Sequence, residues 1–243
     1  MSDDDSTLRI DRQRVTLRLR VEDKLRDAIA TGRFVPGQRL VERELCALLN
    51  VGRTSIREAL RQLEAEGLIN TVPHRGPTVN TISAEEAEHL YAVRALLEAY
   101  AGRKFAERRQ PQDVEALSAA VARLNKAAGE GDLRGLIDAT EDFYRALING
   151  CGNPVLGQIL STLHARMTPQ RIGAMRRPGR SRASVAEVRE ILDAISGGDP
   201  EAAEVACKRH VQSAARTVLS LLVADAQPHT TAARMTGARK RRG

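Results

Sequence analysis

The stretch that most constrains this chain is Leu40 to Glu66, LVERELCALLNVGRTSIREALRQLEAE. Val41, Leu45, Leu48 and Leu49 repeat at helical spacing, and so do Ile56, Ala59, Leu60 and Leu63, which predicts two short helices with one buried stripe each. Between them lies Asn50-Val51-Gly52, whose Asn and Gly both tolerate the left-handed backbone of a sharp helix–helix corner. Thr54 or Ser55 stands where it can cap the second helix, and Ser55 to Glu58 has capping-box spacing. Two amphipathic helices on a tight corner form a helix-turn-helix pattern.

The outer face of the second helix carries the chemistry. Arg53 stands at its entrance, Thr54 and Ser55 occupy its first positions, and Arg57 and Arg61 follow at i, i+4 spacing. A helix that enters a major groove N-terminus first needs long bidentate donors for guanine O6 and N7, and short hydroxyls for phosphates. Arg53 and Arg57 are the candidate base readers, each worth about 1–3 kcal/mol of discrimination. A solvated basic helix face has the same composition, so the flanking sequence has to decide.

With 243 residues, 28% charged and 42% apolar, the chain suits one large or two modest soluble domains. A net charge of +7 favours an acidic partner, of which nucleic acid is the commonest. Aromatic residues are only 2%, with no Trp, which argues against single-strand binding by base stacking and leaves duplex reading open. Cys46, Cys151 and Cys207 lack CxxC spacing, imply neither a disulfide framework nor a zinc site, and suit a reducing cytosol. The acidic opening is followed by no apolar run, so neither a signal peptide nor a membrane span is expected, and the expected location is cytoplasmic.

Around the central stretch, residues 1–13 read as a polar, mobile N-terminus. Residues 14–30 read as a helix with Leu17, Val21, Leu25, Ala28 and Ile29 on one face, closed by Thr31-Gly32. Beyond the second motif helix, which Gly67 ends, Leu68 to Val72 and Thr78 to Asn80 read as strands about a turn at Pro73 to Pro77. Three helices and a hairpin make a winged helix-turn-helix over residues 14–82. Arg75-Gly76 at the wing tip suits the minor groove or its phosphates, although an ordinary exposed hairpin tip has the same residues.

From Ser83, which is placed to cap a new helix, the chain reads as helical throughout. Breaks at Pro111, 129–132, 150–154, Pro178-Gly179 and 197–200 divide it into six helices, near 84–108, 112–129, 132–149, 154–176, 184–197 and 199–225. The expected fold class is therefore mainly α: a winged helix-turn-helix followed by an all-helical bundle over residues 83–225, large enough to enclose a ligand pocket. Residues 226–243 form a basic tail ending in Arg239-Lys240-Arg241-Arg242, either a solvated flexible segment or a source of non-specific attraction to DNA.

The run from Val21 to Val79 resembles the DNA-binding domain of the GntR family of bacterial transcription regulators. The matching phrases are Leu25 to Ile29, Gly32 to Gly37, Leu40 to Leu45, Val51 to Thr54 and Arg57 to Ile69, with Arg75-Gly76 matching the wing. The resemblance implies operator contacts through Arg43, Arg53, Ser55, Arg57 and Gly76, to which the residue types add Thr54 and Arg75. Where the family often has Pro, this chain has Ser55, which also suits a first helical turn. The second half is similar to the effector (FCD) domain of the FadR subfamily in its six-helix, VanR-like form. That similarity rests on Leu90 to Glu98, Asp142 to Leu147, Gly152 to Leu156, Arg177 to Arg180, Glu187 to Ile195 and Gly198 to Ala203.

Most such domains hold a divalent metal with one Asp and three His. The resemblance places Thr140, Tyr144 and Val188 at three of those positions, and only the last survives, as His210. One imidazole cannot assemble a site that needs three or four ligands, so no metal and no other cofactor is expected. His210 is either a satisfied histidine or a ligand contact. Arg94, placed on an inward stripe with Leu90, Val93, Leu97 and Ala101, either receives a carboxylate or pairs with Glu141 or Glu98. The candidate effector-binding residues are Arg94, Thr140, Tyr144, Asn149 and His210. The effector is expected to be a small molecule, either an organic acid or another ligand, larger or more apolar than the small citrate-like acids that chelate a metal.

The chain carries no Ser/His/Asp or Cys/His set, no phosphate-cradling glycine loop and no paired carboxylates of defined geometry, so an enzyme is not expected. The expected function is sequence-specific regulation of transcription, as a repressor controlled by a small metabolite. A homodimer would place two recognition helices in successive major grooves of operator DNA, about 34 Å apart. The alternative is a non-specific or effector-independent DNA-binding protein whose pocket has lost metal and ligand.

Overall fold

A computed structural model describes residues 12–226 of the chain. The expected mobile N-terminus (1–13) and the basic tail (226–243) fall, but for their innermost residues, outside the described residues. The element order is α1 (Arg12–Ala30), α2 (Glu42–Leu49), α3 (Arg53–Ala65), β1 (Ile69–Val72), β2 (Gly76–Val79), α4 (Ala84–Arg108), α5 (Pro111–Glu130), α6 (Leu133–Cys151), α7 (Pro154–Met175), α8 (Arg180–Gly197) and α9 (Pro200–Ala226). None of the helices is long and apolar enough to cross a membrane among the described residues.

The first five elements close on one apolar core. Val21, Leu25 and Ile29 of α1 meet Leu45 of α2, Ile56, Ala59, Leu60 and Leu63 of α3, and Ile69 and Val79 of the hairpin. The ends of the expected stripes lie outside it: Leu17 and Leu48 are exposed. The α2–α3 corner is made by Asn50 alone, with φ 52°. Gly52 has φ −71° and is the N-cap of α3, its carbonyl accepting from Ile56 N–H at 3.3 Å. Helix α3 therefore starts at Arg53, ahead of the hydroxyls. Neither Thr54 nor Ser55 caps it, and the expected capping box does not form.

The wing is an antiparallel pair with Ile69 opposite Val79 and Val72 opposite Gly76. A turn through His74 (φ 61°) and Gly76 (φ 81°) joins the strands. The segment before α2 adds a short third edge, with Val79 N–H donating to Gln38 O and Leu40 N–H to Pro77 O. Sequence patterning does not show that edge, because Pro36-Gly37 reads only as a turn.

Ser83 caps α4, its hydroxyl accepting from Glu86 N–H at 3.0 Å. The six helices from α4 to α9 surround a second core of Phe105, Leu117, Leu124, Phe143, Leu147, Leu160, Ile191, Ile195 and Cys207. Helices α4 and α9 approach closely at Gly102, where an added Cβ would lie 2.5 Å from Cys207 Sγ and 3.0 Å from the Ala203 carbonyl oxygen. Helix α8 begins at Arg180, one turn before the expected 184, because Gly179 at φ 79° turns the chain straight out of the preceding loop. The first domain rests against α6 and α7. Arg134 pairs with Asp27 at 2.9 Å, and Arg176 donates to the Thr31 carbonyl at 2.6 Å.

Candidate DNA-binding face and effector cavity

The uncapped start of α3 is useful chemistry. Its first N–H groups have no side-chain acceptor, so they and the positive end of the helix dipole are available to a phosphate. Arg53, Thr54 and Arg57 are exposed on α3, Ser55 is half-buried beside them, and Arg43 is exposed on α2. Arg75 is exposed at the wing turn, and a Cβ at Gly76 would meet nothing within 4 Å, so the wing backbone is open to an approaching duplex. Thr71 N–H donates to Glu64 at 2.9 Å and ties the wing to α3. Sequence reading missed Glu42, which accepts from Arg57 Nε on both carboxylate oxygens.

In the helical half, four of the five expected effector residues converge. Arg94, Thr140, Tyr144 and His210 line one cavity of about 40 Å³ between α4, α6, α7, α8 and α9. Asn149 does not reach it. That residue is exposed and lines a separate cleft of about 320 Å³ between the two domains, together with Arg26 and Leu68 of the first. Val93, expected on the inward stripe of α4, is 47% exposed, one helical position away from the fully buried Arg94.

A continuous hydrogen-bonded chain crosses the bundle at this cavity. His164 Nε2 meets Glu98 Oε1 at 2.8 Å, and Arg94 Nε donates to the same oxygen at 2.5 Å. Arg94 then donates through a terminal nitrogen to the Tyr144 hydroxyl at 2.5 Å, which meets His210 Nε2 at 3.1 Å. His210 Nδ1 reaches Glu187 at 2.8 Å, and Arg180 holds Glu187 through both terminal nitrogens at 3.1 and 3.0 Å. Of the two partners considered for Arg94, Glu98 is the one it pairs with, one helical turn away.

The electrostatics follow from burial and pairing. Burial alone raises the Glu98 pKa, but Arg94 and the His164 hydrogen bond more than offset it and hold the carboxyl at about 2. Burial also raises Glu187, which hydrogen bonds from His210, Arg180 and Ser213 bring down to about 2. Burial pushes His164 down to about 4 against the pull of Glu98, so the ring is neutral at pH 7 and its Nε2–H donates. Burial raises the pKa of both Tyr91 and Tyr144, which stay protonated donors.

A divalent metal does not fit this donor set. The Thr140 hydroxyl donates to the Leu136 carbonyl at 2.7 Å, Val188 is a buried aliphatic, and both nitrogens of His210 are engaged by Tyr144 and Glu187. Among the described residues, no three His, Cys, Asp or Glu side chains gather as a ligand set. Tyr91, His164, Arg171, Arg180 and Glu187 complete the site, and sequence reading singled out none of them. Only Tyr91 carried a usable signal, standing three residues before Arg94 on the same helical face.

The sequence pattern described as "Bacterial regulatory proteins, gntR family" matches residues 17–79, and that of the FCD domain matches residues 89–213. A probable D-xylose utilization operon transcriptional repressor of Paenarthrobacter nicotinovorans is 31% identical, over 82% of this chain and 87% of its own. The regulator McbR of Escherichia coli (strain K12) is 28% identical over 64% of this chain and 70% of its own. The solved structure of E. coli McbR/YncC shares the fold with a TM-score of 0.70 at 23% identity, over 87% of this chain and 99% of that one. A putative GntR regulator from Rhodococcus sp. RHA1 gives a TM-score of 0.71 at 26% identity, over 84% and 97%. With its winged helix-turn-helix followed by an FCD domain in the FadR-like order, the chain belongs to the GntR family of bacterial transcription regulators.

Proposed function

We propose that the chain is a transcription repressor that reads a near-palindromic operator as a homodimer in the cytoplasm and responds to a small metabolite held in its FCD domain without a metal ion. The observation that carries this reading is the outer face of α3. Arg53, Thr54 and Arg57 are exposed there beside an open wing, on a domain with a complete core of its own. Two relatives support repression: the D-xylose operon protein and NanR of Enterobacter sp. (strain 638), 29% identical over 81% of this chain and 83% of its own, are both named repressors.

A second copy has a surface to meet. Val93, Leu96 and Tyr100 stand at i, i+3 and i+7 on α4, and Leu96 is 66% exposed. An apolar stripe on the outside of a long helix is what a partner helix covers. Against the enzyme alternative, no hydrogen-bonded nucleophile–base pair lines either cavity among the described residues, and Arg94, Glu98, Tyr144, His210 and Glu187 are tied to one another as structure.

The test is selection of bound sequences from a random duplex pool at about physiological salt. Recovery of a short palindrome with fixed half-site spacing establishes the dimeric specific regulator. A pool that stays random, with and without metabolite extract, sinks it in favour of a non-specific DNA-binding protein.

A further inference from the structure

Two buried donors on α4 have nothing to donate to. Arg94 is fully buried and uses Nε on Glu98 and one terminal nitrogen on Tyr144, and its Nη1 has no partner among the described residues. Tyr91 is 3% exposed, is held protonated, and its hydroxyl likewise has no partner. Both side chains line the cavity of about 40 Å³. A buried donor left unmade carries its full desolvation penalty, so an acceptor belongs between them.

Charge specifies the acceptor further. Three guanidiniums line the cavity, those of Arg94, Arg171 and Arg180. Arg94 is balanced by Glu98 and Arg180 by Glu187, whereas Arg171 has no carboxylate within ion-pair distance among the described residues and lies over the Tyr144 ring at 4.9 Å. Glu141, across the cleft, acts on Arg171 only through space, so a negative group arriving at the cavity would find a guanidinium with no direct ionic partner. The cavity is the size of an acid group, not of a whole metabolite. Tyr144 and Arg171 also line the interdomain cleft of about 320 Å³, whose far wall is Arg26, Glu66 and Leu68 of the DNA-binding domain.

We propose that this site takes a monocarboxylate whose acid group is received directly by Arg94 Nη1 and the Tyr91 hydroxyl, and whose uncharged body passes the Tyr144–Arg171 pair into the interdomain cleft. The inference rests on the effector-sensing reading above and adds two things to it. The guanidinium and phenol do the work that a metal ion does in a metal-bearing pocket. The body of the ligand touches the DNA-binding domain itself, so occupancy acts on the seam between domains rather than through the bundle alone.

The test uses the full chain and four probes: acetate, benzoate, 4-phenylbutyrate and inorganic phosphate. Arg94→Met strands Glu98 as a buried unpaired carboxylate and tests folding rather than binding. Tyr91→Phe removes one unpartnered oxygen and leaves every hydrogen bond in place. The expected results are calorimetric binding of benzoate and 4-phenylbutyrate by the parent, unaffected by EDTA and tighter than that of acetate or phosphate. In Tyr91→Phe the affinity for the aryl acids falls about tenfold, with a melting temperature no lower than the parent's.

Absence of carboxylate binding, or equal affinity in Tyr91→Phe, overturns the site. So does preferential binding of phosphate. Operator release by metabolite extract separates the two levels of inference. If extract releases both proteins equally while the carboxylates do nothing, effector sensing stands and this site falls. If extract does nothing and the aryl acids bind without altering operator affinity, the site stands and the sensing role falls.

Discussion

Glu42 of α2 accepts the Nε–H of Arg57 of α3 on both carboxylate oxygens, at 3.0 and 2.9 Å. The two terminal nitrogens of Arg57 make no hydrogen bond among the described residues, so the fork that reads a guanine edge is left open while its base is tethered. Arg57→Ala is expected to weaken operator binding by about 1–3 kcal/mol and random-duplex binding far less. Glu42→Gln keeps one acceptor and is expected to lose selectivity at the same base with a smaller fall in affinity. Competition titrations of both variants against operator and random duplex check this. Equal retention of operator and random binding in Arg57→Ala removes the recognition-helix assignment.

Arg176, at the end of α7, links the halves by donating to the carbonyl of Thr31, which closes α1. The contact is exposed, so its worth is modest, on the order of 1 kcal/mol for a charge-assisted bond. Arg176→Ala is expected to speed hydrogen exchange of the last amides of α1 about fivefold, with the core of α5 and α6 unchanged. Unchanged protection at residues 27–32 means that the domains are held together by other contacts, of which the Arg134–Asp27 pair is the first to test.

Acid should loosen the bundle in two stages. His164 faces Glu98, Arg94, Tyr144 and Arg171, and is held neutral with a pKa of about 4 against an ordinary 6.5. The unfolded chain takes up a proton as pH falls through 6.5 while the folded chain does not, so stability present above 6.5 is lost on the way down to about 4. That loss is on the order of 3 kcal/mol. Glu98 and Glu187, both held at about 2 against an ordinary 4.5, add a second loss that starts below 4.5. His164→Gln keeps a donor for Glu98 and removes the first stage. Melting curves from pH 7 to 4 check it, and an equally steep fall in His164→Gln places the first stage elsewhere.

The sequence showed the helices because each carries its own periodicity and punctuation. Pro111, Gly131, Gly152 and Gly198 lie at the breaks, and the expected helix ends from α4 to α7 fall within two residues of the observed ones. It did not show which of two plausible residues takes a special role. Asn50 and Gly52 both tolerate the corner, and only the packed structure puts the left-handed residue at Asn50. Nor could it orient a long helix with apolar residues on more than one side. On α4, Val93 looked as inward as Leu90 and Leu97, yet it belongs with Leu96 and Tyr100 on the outside. The cavity was half legible. Arg94 was found from its place on an apolar helical stripe, and Thr140, Tyr144 and His210 through the resemblance, whereas His164, Arg171 and Glu187 come from helices α7 and α8, and no spacing within one helix points across a bundle.

The outer stripe of α4 yields the last prediction. Leu96 is 66% exposed, with Val93 at 47% and Tyr100 at 43%, so none of the three is needed to close the core of the single chain. If a second copy covers the stripe, Leu96→Glu buries an unpaired carboxylate in the dimer and costs the lone chain nothing. The variant is expected to sediment as a monomer at concentrations where the parent is a dimer, with α-helical content unchanged. Because one head then reads one half-site without the gain of a tethered second, operator affinity should fall by roughly 100-fold or more. A Leu96→Glu protein that remains dimeric and binds operator as the parent does moves the dimer contact to another face of the bundle.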